Sequence, residues 1–259
     1  MPAASWRRGR PSRSSKPRNI SAPRPFWRAF PGRAEVEAFL DTFFNGAVLA
    51  RYAPSILQGV WVTVLLSGLI VISGIAGGAA LACLRAYRIR PLSALIVVYA
   101  DIFRALPPLV LILLVFFGLP NLGILLSSFT VLYLILTLVL AAFAEEIVWA
   151  GITAVPKGQW EASRSTGLGF TQTLIWVVLP QAVRMVIPPI TNRAIAITKM
   201  TALGMVIGVP DILGQATTAQ SFSANASPLM LAAIAYVLLF LPLVIFSRWL
   251  ETRFAAPGV

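Results

Sequence analysis

The sequence contains no histidine and a single cysteine, Cys83, among its 259 residues. A disulfide framework, a zinc site built on histidine or cysteine, and a histidine-dependent catalytic triad are therefore excluded or nearly so. Cys83 lies in an apolar run, where a small packing residue is the ordinary interpretation. We accordingly predict no catalytic residue, no metal site and no cofactor.

Charged residues are also scarce. They make up 12% of the chain, whereas 58% of the residues are hydrophobic and the mean hydropathy is +0.83. A soluble domain is about 45–50% apolar and about one quarter charged. The composition therefore predicts a membrane protein that crosses the bilayer several times.

The positive charge is concentrated at one end. Nine of the 21 basic residues, and none of the nine acidic ones, lie in residues 1–34. We predict a disordered tail that contacts anionic membrane lipid. Nucleic acid is not an expected partner, since no folded module presents the charge.

The rest of the chain divides into three parts. Residues 35–54 are predicted to form an amphipathic helix at the membrane interface. Residues 55–254 are predicted to form the transmembrane domain, and residues 255–259 a short C-terminal tail.

Long apolar runs predict five membrane-spanning helices and an all-α fold. The runs cover residues 59–84, 92–119 and 129–149, a segment that begins near residue 174, and residues 229–249. Gly74 and Gly78 form a pair of small residues one turn apart, which predicts a close helix contact. Pro107 and Pro108 should break the second span, and the prolines of the fourth should kink it. Residues 204–214 are predicted to form a partly buried loop on the outer side of the membrane.

The stretch 155–189 separates two apolar runs, yet its first half carries Lys157, Glu161 and Arg164 together with several hydroxyl groups. These groups cannot lie in hydrocarbon without a large desolvation cost, so they must face water. Helix formers over 159–165, followed by Gly167 and Gly169, predict a short helix at the membrane surface.

Three features of this stretch match a known sequence motif: E-A-S at 161–163, then Gly167, then L-P at 179–180. They resemble the cytoplasmic "EAA" loop of permease subunits in ATP-driven, binding-protein-dependent importers. The flanking P-K-G-Q-W-E-A and L-P-Q-A-V-R resemble the branch that imports polar amino acids. An ordinary amphipathic loop helix that joins two spans is the alternative.

The resemblance implies that the loop helix docks on an ATPase subunit. The residues that it assigns to this coupling are Lys157, Gly158, Glu161, Ala162, Ser163, Gly167, Leu179 and Pro180. It implies three partners: an ATP-binding cassette subunit, a substrate-binding protein on the periplasmic or outer side, and a second permease, identical or paralogous. A Walker A phosphate loop is absent from the sequence, so ATP must be hydrolysed by a separate subunit.

Charged residues within the predicted spans need partners. Asp101 and Arg104 are three residues apart on one helix face, and we interpret them as a structural ion pair. Glu146 matches a glutamate of the family pattern, whereas Glu145 departs from it. We expect both glutamates to pair with basic groups on the loops.

Polar residues after the prolines of the fourth span are candidates for the translocation path: Asn192, Arg193, Lys199 and Thr201. Cations that reach towards the membrane surface are the alternative. Family members have an acid after the lysine, where this chain has Met200, and often a glutamine where it has Arg193. Both changes make the path more positive, which favours a substrate with an anionic or strongly polar side chain.

Loop charge predicts the orientation. The basic residues after spans one and three and at the C-terminus are Arg85, Arg88, Arg90, Lys157, Arg164, Arg248 and Arg253, whereas Asp211 is the one charge in the other loops. This pattern puts the Glu161 loop and the C-terminus in the cytoplasm and the N-terminus outside, in a bacterial inner membrane. The basic tail contradicts this orientation, and two explanations are open: the tail lies too far from the first span to set the orientation, or the true start of the protein lies downstream of the tail. A self-sufficient secondary transporter or channel is the main alternative, and a membrane enzyme the next.

Overall fold

The computed structural model describes residues 33–254. The chain divides into two units between Ala38 and Phe39, and the first unit is described only for residues 33–38. The tail predicted over residues 1–34 therefore lies outside the described residues except for its last two, and the tail predicted over 255–259 lies outside them as well.

Helices joined by short turns make up the described residues, and the range 33–254 contains no β-strand. The α-helices are α1 (Arg33–Phe44), α2 (Gly46–Ala86), α3 (Arg90–Ala105), α4 (Pro108–Gly118), α5 (Ser128–Ala154), α6 (Lys157–Ser165), α7 (Phe170–Thr173), α8 (Leu179–Lys199), α9 (Ile212–Ser223) and α10 (Ser227–Phe254). Two 3₁₀ helices (Leu119–Leu122 and Met200–Ile207) and one π-helix (Leu174–Val178) lie between them. The all-α prediction is confirmed.

Four helical segments of the described chain are long and apolar enough to cross a membrane, namely Arg33–Ala86, Ser128–Ala154, Phe170–Ser223 and Ser227–Phe254. α3 and the segment Pro108–Leu122, which are bent by 100° at the break between them, are apolar enough together to make a fifth span if the pair crosses as one. The break follows from Pro107 and Pro108, because neither nitrogen can donate a helical hydrogen bond. With the bent pair counted as one span, the described chain has five spans, and the second is broken where the prolines predict.

The helix that enters the first span begins earlier than its apolar run. The side-chain oxygen of Asn45 accepts hydrogen bonds from the backbone N–H groups of Ala47 and Val48, both at 3.1 Å, and so caps α2. α2 then continues for 41 residues with Pro54 inside it. The amphipathic stretch 35–54 is therefore divided at Asn45, and its second half is continuous with the first span.

Helix α5 lies at the centre of the bundle and packs closely on α2. A β-carbon added at Gly78 would lie 2.5 Å from both the Ala141 carbonyl oxygen and the Ala144 β-carbon, and one at Gly74 would lie 2.9 Å from Leu140. The close helix contact predicted from the glycine pair is confirmed. Such contacts are what small residues provide between membrane helices.

Of the three prolines that predict a kink in the fourth span, Pro180 lies beside a departure from α-helical geometry, whereas Pro188 and Pro189 do not. α8 remains helical across Pro188 and Pro189 to Lys199, whereas residues 174–178 form the π-helix. Pro180 cannot donate to the Trp176 carbonyl, which disturbs the hydrogen-bond ladder there. The side-chain amide of Gln181 donates to the Val177 carbonyl at 2.7 Å.

The outer loop predicted over 204–214 is largely structured, which corrects that prediction. The 3₁₀ helix ends at Gly208, whose φ of 79° is left-handed, and α9 begins after Asp211. The Asp211 carboxylate caps α9 by accepting from the Gly214 N–H at 2.8 Å. α9 escapes sequence analysis because its threonines, serines and glutamines lack an apolar period.

Candidate functional site

The short polar helix α6 begins and ends at sequence-encoded signals. Val155 precedes Pro156 and adopts an extended backbone, as residues before proline do, so α5 stops there. At the other end Gly167 has a φ of 93°, and its N–H donates to the Arg164 carbonyl at 3.0 Å. A β-carbon at Gly167 would meet nothing within 4 Å. Glycine is therefore required here for its left-handed backbone and not for a close approach.

One face of α6 is fixed to the beginning of the fourth span. The Trp160 ring stacks on Phe170 with the centroids 5.5 Å apart, and the Ser163 hydroxyl donates to the Thr173 hydroxyl at 3.2 Å. Trp160 and Ser163 are three residues apart and so share a helix face. Tyr87, at the end of α2, contacts Phe170 and the hydroxyl of Thr171 from the other side. These contacts attach α6 to the beginning of the fourth span.

The opposite face of α6 is open to solvent. Of the predicted coupling residues, Lys157, Gly158, Glu161 and Ala162 are exposed, whereas Ser163 is buried as part of the anchor. Leu179 packs against the same apolar cluster as Trp160, and Pro180 is exposed. Some of the eight predicted coupling residues therefore lie on the solvent-exposed face of α6, and others belong to the contacts that hold α6 on the fourth span.

A groove of about 410 Å³ runs between α6 and the ends of α2 and α5. Its charged lining residues are Arg88, Lys157, Glu161 and Arg164, and its aromatic ones are Trp149, Trp160 and Phe170. Sequence reasoning does not find this groove, because its walls come from three separate segments. It gives the free surface of α6 a concave and mainly cationic border.

Glu145 forms a buried ion pair with Arg85. Its side chain is 0% exposed, and its two oxygens lie 3.0 and 3.3 Å from the Arg85 guanidinium. Arg85 also lies over the Trp149 ring at 4.6 Å. The expected partnership of Glu145 with a basic residue is confirmed, although Arg85 belongs to the last turn of α2 and not to the loop after it.

Glu146 forms an ion pair with Arg104 on α3. Arg104 also lies 3.9 Å from Asp101, so the predicted Asp101–Arg104 pair is present as the longer of its two contacts. Arg104 lies within the second span, so this partner of Glu146 does not come from a loop.

The candidate path residues of the fourth span are divided between different neighbours. Arg193 lies over the Phe143 ring of α5 at 3.9 Å, and Lys199 lies 5.8 Å from the Phe240 ring of α10. The Asn192 amide contacts Ser247, at 2.7 Å, and Glu251 on α10. Thr201 is fully buried and donates to the Thr198 carbonyl at 2.9 Å. The two cations therefore do not converge on one point.

A family model described as "Binding-protein-dependent transport system inner membrane component" matches residues 71–256, which is more than half of the chain. The chain belongs to this family of permeases. Among its relatives, a probable glutamine ABC transporter permease of Bacillus subtilis (strain 168) is 35% identical over 214 residues, which cover 81% of this chain and 98% of the relative. A glutamate transport system permease of Corynebacterium glutamicum is 33% identical, with 75% and 91% covered.

Solved structures agree with this assignment. The permease resembles a chain in the crystal structure of an amino acid ABC transporter with histidines, with a TM-score of 0.72, 30% identity and coverage of 79% of this chain and 96% of the other. An inward-facing conformation of the MetNI methionine ABC transporter has a TM-score of 0.62 at 21% identity, covers 77% and 95% of the two chains, and supports the fold alone.

Family membership establishes what kind of component the permease is. It is a multi-pass membrane subunit of an ATP-driven importer, and it works with a separate ATP-binding subunit and a substrate-binding protein. It transports and does not itself hydrolyse ATP. The alternatives of a self-sufficient transporter or channel and of a membrane enzyme are thereby set aside.

Proposed function

We propose that the permease carries a polar amino acid into the cell across the bacterial inner membrane, and that α6 is the helix through which its ATPase partner drives it. The observation that supports this most directly is the two-sided α6, which is solvent-exposed on one face and fixed to the fourth span on the other. Relatives that cover most of the chain are permeases for glutamine, arginine and glutamate.

The anchoring contacts explain how force on α6 would reach the membrane. Movement of the Glu161 face carries Trp160 and Ser163 with it, and these residues hold Phe170 and Thr173 of the next segment. The π-helix follows immediately at Leu174–Val178. Because π-helices lack the regular α ladder, this segment is a suitable hinge between the docking helix and α8.

The orientation follows from charge. With α6 in the cytoplasm, the arginines at the end of α2, the cations of α6 and those at the end of α10 all lie on the inner side. The N-terminus then lies outside and the C-terminus inside.

The membrane face of α8 supports a second part of the proposal, that two permeases, identical or paralogous, enclose the path between them. Asn192 and Lys199 are exposed, and Arg193 is partly so, on a helix that spans the bilayer. Exposed cations in hydrocarbon cost at least about 2.5–3.5 kcal/mol each at the centre of the membrane, so this face should border water or a partner. Thr201 follows α8 and is fully buried, so it is not part of this exposed face.

Reconstitution with the ATPase subunit and binding protein tests the coupling assignment. Glu161→Lys reverses a charge on the free face, and Gly167→Val forces a β-branched residue into a left-handed backbone, so both should uncouple the complex without removing it from the membrane. The expected result is loss of amino acid uptake and loss of ATPase stimulation by the loaded binding protein.

Matched controls separate coupling from general damage. Glu37→Lys reverses the charge of another exposed acid, and Gly68→Val adds the same side chain where a β-carbon meets nothing within 4 Å. Both controls should retain uptake. Stimulated ATPase activity in Gly167→Val at the wild-type level would show that α6 does not transmit the signal.

A further inference from the structure

The groove between α6 and the ends of α2 and α5 carries positive charge that the described chain does not neutralise. Its volume is about 410 Å³, and it is lined by Arg88 after the end of α2, by Lys157 and Arg164 of α6, and by one acid, Glu161. None of the three cations forms an ion pair with an acid of residues 33–254. Three cations and one acid leave a net charge of +2, which attracts an anion.

The residues of α6 that line the groove share one face of that helix. They recur at intervals of three and four residues: Lys157, Trp160, Glu161 and Arg164. Gly158 and Ala162 are exposed as well, but they belong to another face and do not line the groove. α6 therefore offers the ATPase subunit a surface outside the groove, and a ligand can occupy the groove beside that subunit.

The remaining walls of the groove are apolar and come from the ends of two membrane spans. Ala86 is the last residue of α2, and Ile152 lies in the last turn of α5; both are buried. The rings of Trp149, Trp160 and Phe170 add an aromatic lining. Tryptophan is enriched where the hydrocarbon of the bilayer meets the headgroups. The groove therefore combines apolar surface with cations at the membrane surface, as a phospholipid combines acyl chains with a charged headgroup.

Contacts between the walls hold the aromatic lining in place. Tyr87 packs against Phe170 with the ring centroids 5.1 Å apart, and Phe170 stacks on Trp160 at 5.5 Å. The guanidinium carbon of Arg85 lies 4.6 Å from the centroid of the Trp149 ring. A ligand in the groove therefore meets preformed walls, and little free energy is lost in ordering them.

The backbone of Arg88 adopts a conformation that arginine rarely has. Its φ is 58°, in the left-handed region that favours glycine and asparagine, and its N–H donates to the Arg85 carbonyl at 3.0 Å. Such outliers cluster at ligand-binding sites, where the surrounding structure holds them. Arginine at this position supplies one of the three cations of the groove, which a glycine could not do.

We infer that this groove binds an anionic phospholipid of the cytoplasmic leaflet, with Arg88, Lys157 and Arg164 around its phosphate and the apolar walls against its glycerol and upper acyl chains. Arginine binds phosphate through paired, charge-assisted hydrogen bonds, and basic pockets on the cytoplasmic side of membrane proteins bind such headgroups. A zwitterionic lipid also carries an ammonium group, which the cations repel. The inference rests on the proposed function for the orientation of α6, and it is independent of which amino acid is carried.

The test measures binding of dioctanoyl-phosphatidylglycerol and dioctanoyl-phosphatidylcholine to the detergent-purified permease–ATPase complex by native mass spectrometry. The wild type should bind the anionic lipid roughly tenfold more tightly than the zwitterionic one. Arg88→Gln and Arg164→Gln should each weaken binding of phosphatidylglycerol roughly fivefold and leave phosphatidylcholine unchanged. Arg90→Gln removes an exposed arginine two residues from Arg88 that does not line the groove, and it should change neither affinity.

The source of the bound phosphate and the place of binding are measured on the wild type. Inorganic phosphate should not displace phosphatidylglycerol, and displacement at equal concentrations would show a site for free anions and overturn the inference. Phosphatidylglycerol with a photoreactive group at the top of one acyl chain is crosslinked to the complex in vesicles of phosphatidylglycerol and phosphatidylcholine. The label should appear on the peptides that cover residues 149–170, and a label confined to other peptides contradicts the inference.

Each remaining outcome assigns the groove to one partner. If Arg88→Gln and Arg164→Gln fail to assemble with the ATPase subunit while Arg90→Gln assembles, the groove binds that subunit and the inference is wrong. Where a variant does not reach the membrane, the crosslinking of the wild type decides. Labelling of Gln159→Cys from the cytoplasm alone, with equal affinities for the two lipids, refutes this site alone, whereas labelling from outside refutes the proposed orientation.

Discussion

Two neighbouring glycines of α2 meet different surroundings, and they allow a direct test of the α2–α5 contact. A β-carbon at Gly78 would lie 2.5 Å from the Ala141 carbonyl oxygen and 2.7 Å from the Glu145 nitrogen, whereas one at Gly77 would lie 3.7 Å from the Ala141 β-carbon. Non-bonded carbon atoms are most stable about 3.5–4.0 Å apart, so Gly78→Ala requires the two helices to separate by about 1 Å.

The magnitude follows from two opposing contributions. Overpacking typically costs about 1–3 kcal/mol, and the upper part of that range applies because backbone atoms cannot rotate away. Alanine is favoured over glycine inside a helix by about 0.5–1 kcal/mol, which offsets part of the cost. We expect Gly78→Ala to lower the stability by about 2 kcal/mol and Gly77→Ala to leave it unchanged or slightly higher.

Thermal unfolding of the detergent-purified complex measures this difference. At about 2–4 °C per kcal/mol for a chain of this size, Gly78→Ala should lower the apparent Tm by roughly 4–8 °C relative to the wild type. Gly77→Ala, heated in parallel, is the control. Equal shifts for the two variants, or a higher Tm for Gly78→Ala, would refute the close contact between the helices.

Further predictions concern topology and the buried ion pair. Single cysteines at Ser127 and Thr218, both exposed, should react with an impermeant thiol reagent from outside and one at Gln159 only from the cytoplasm; the reverse labelling would refute an inward-facing α6. Arg85→Ala should destabilise the permease by about 3–5 kcal/mol, because it leaves the buried Glu145 carboxylate without its partner. Glu145→Ala should cost less, since the Arg85 side chain is 22% exposed and keeps its contact with the Trp149 ring. The double variant should be little worse than either single one, and additive losses in Tm would show that the two residues are not coupled.

Acidic side chains distant in the chain pack near Arg193, and sequence alone does not show them. The sequence of the fourth span predicts a positively charged path, since Arg193 and Lys199 have no acid near them in the chain. In the structure Arg193 lies beside Phe143 in a cluster that also contains Asp101 and Glu146. Lys199 lies apart from these acids, 5.8 Å from the Phe240 ring, so the preference for an anionic or strongly polar side chain stays a prediction.

The features that sequence alone determined are those that local chemistry sets. Apolar runs fix the number and the approximate limits of the spans because each must match the thickness of the bilayer. Pro107 and Pro108 break the second span because they lack a backbone N–H. Gly167 ends α6 because its left-handed backbone suits glycine, and the residues around Glu161 carry the family resemblance.

Tertiary structure decided which of these segments meet. Arg85 and Glu145 are separated by 60 residues, and no local pattern pairs them. The Phe143 ring of α5 likewise meets Arg104 of α3 and Arg193 of α8, and the groove beside α6 has walls from three segments. α9 forms with the Asp211 cap although its own sequence has no helical period. These features depend on how helices pack across long separations in the chain, and such packing leaves no periodic trace in a single sequence.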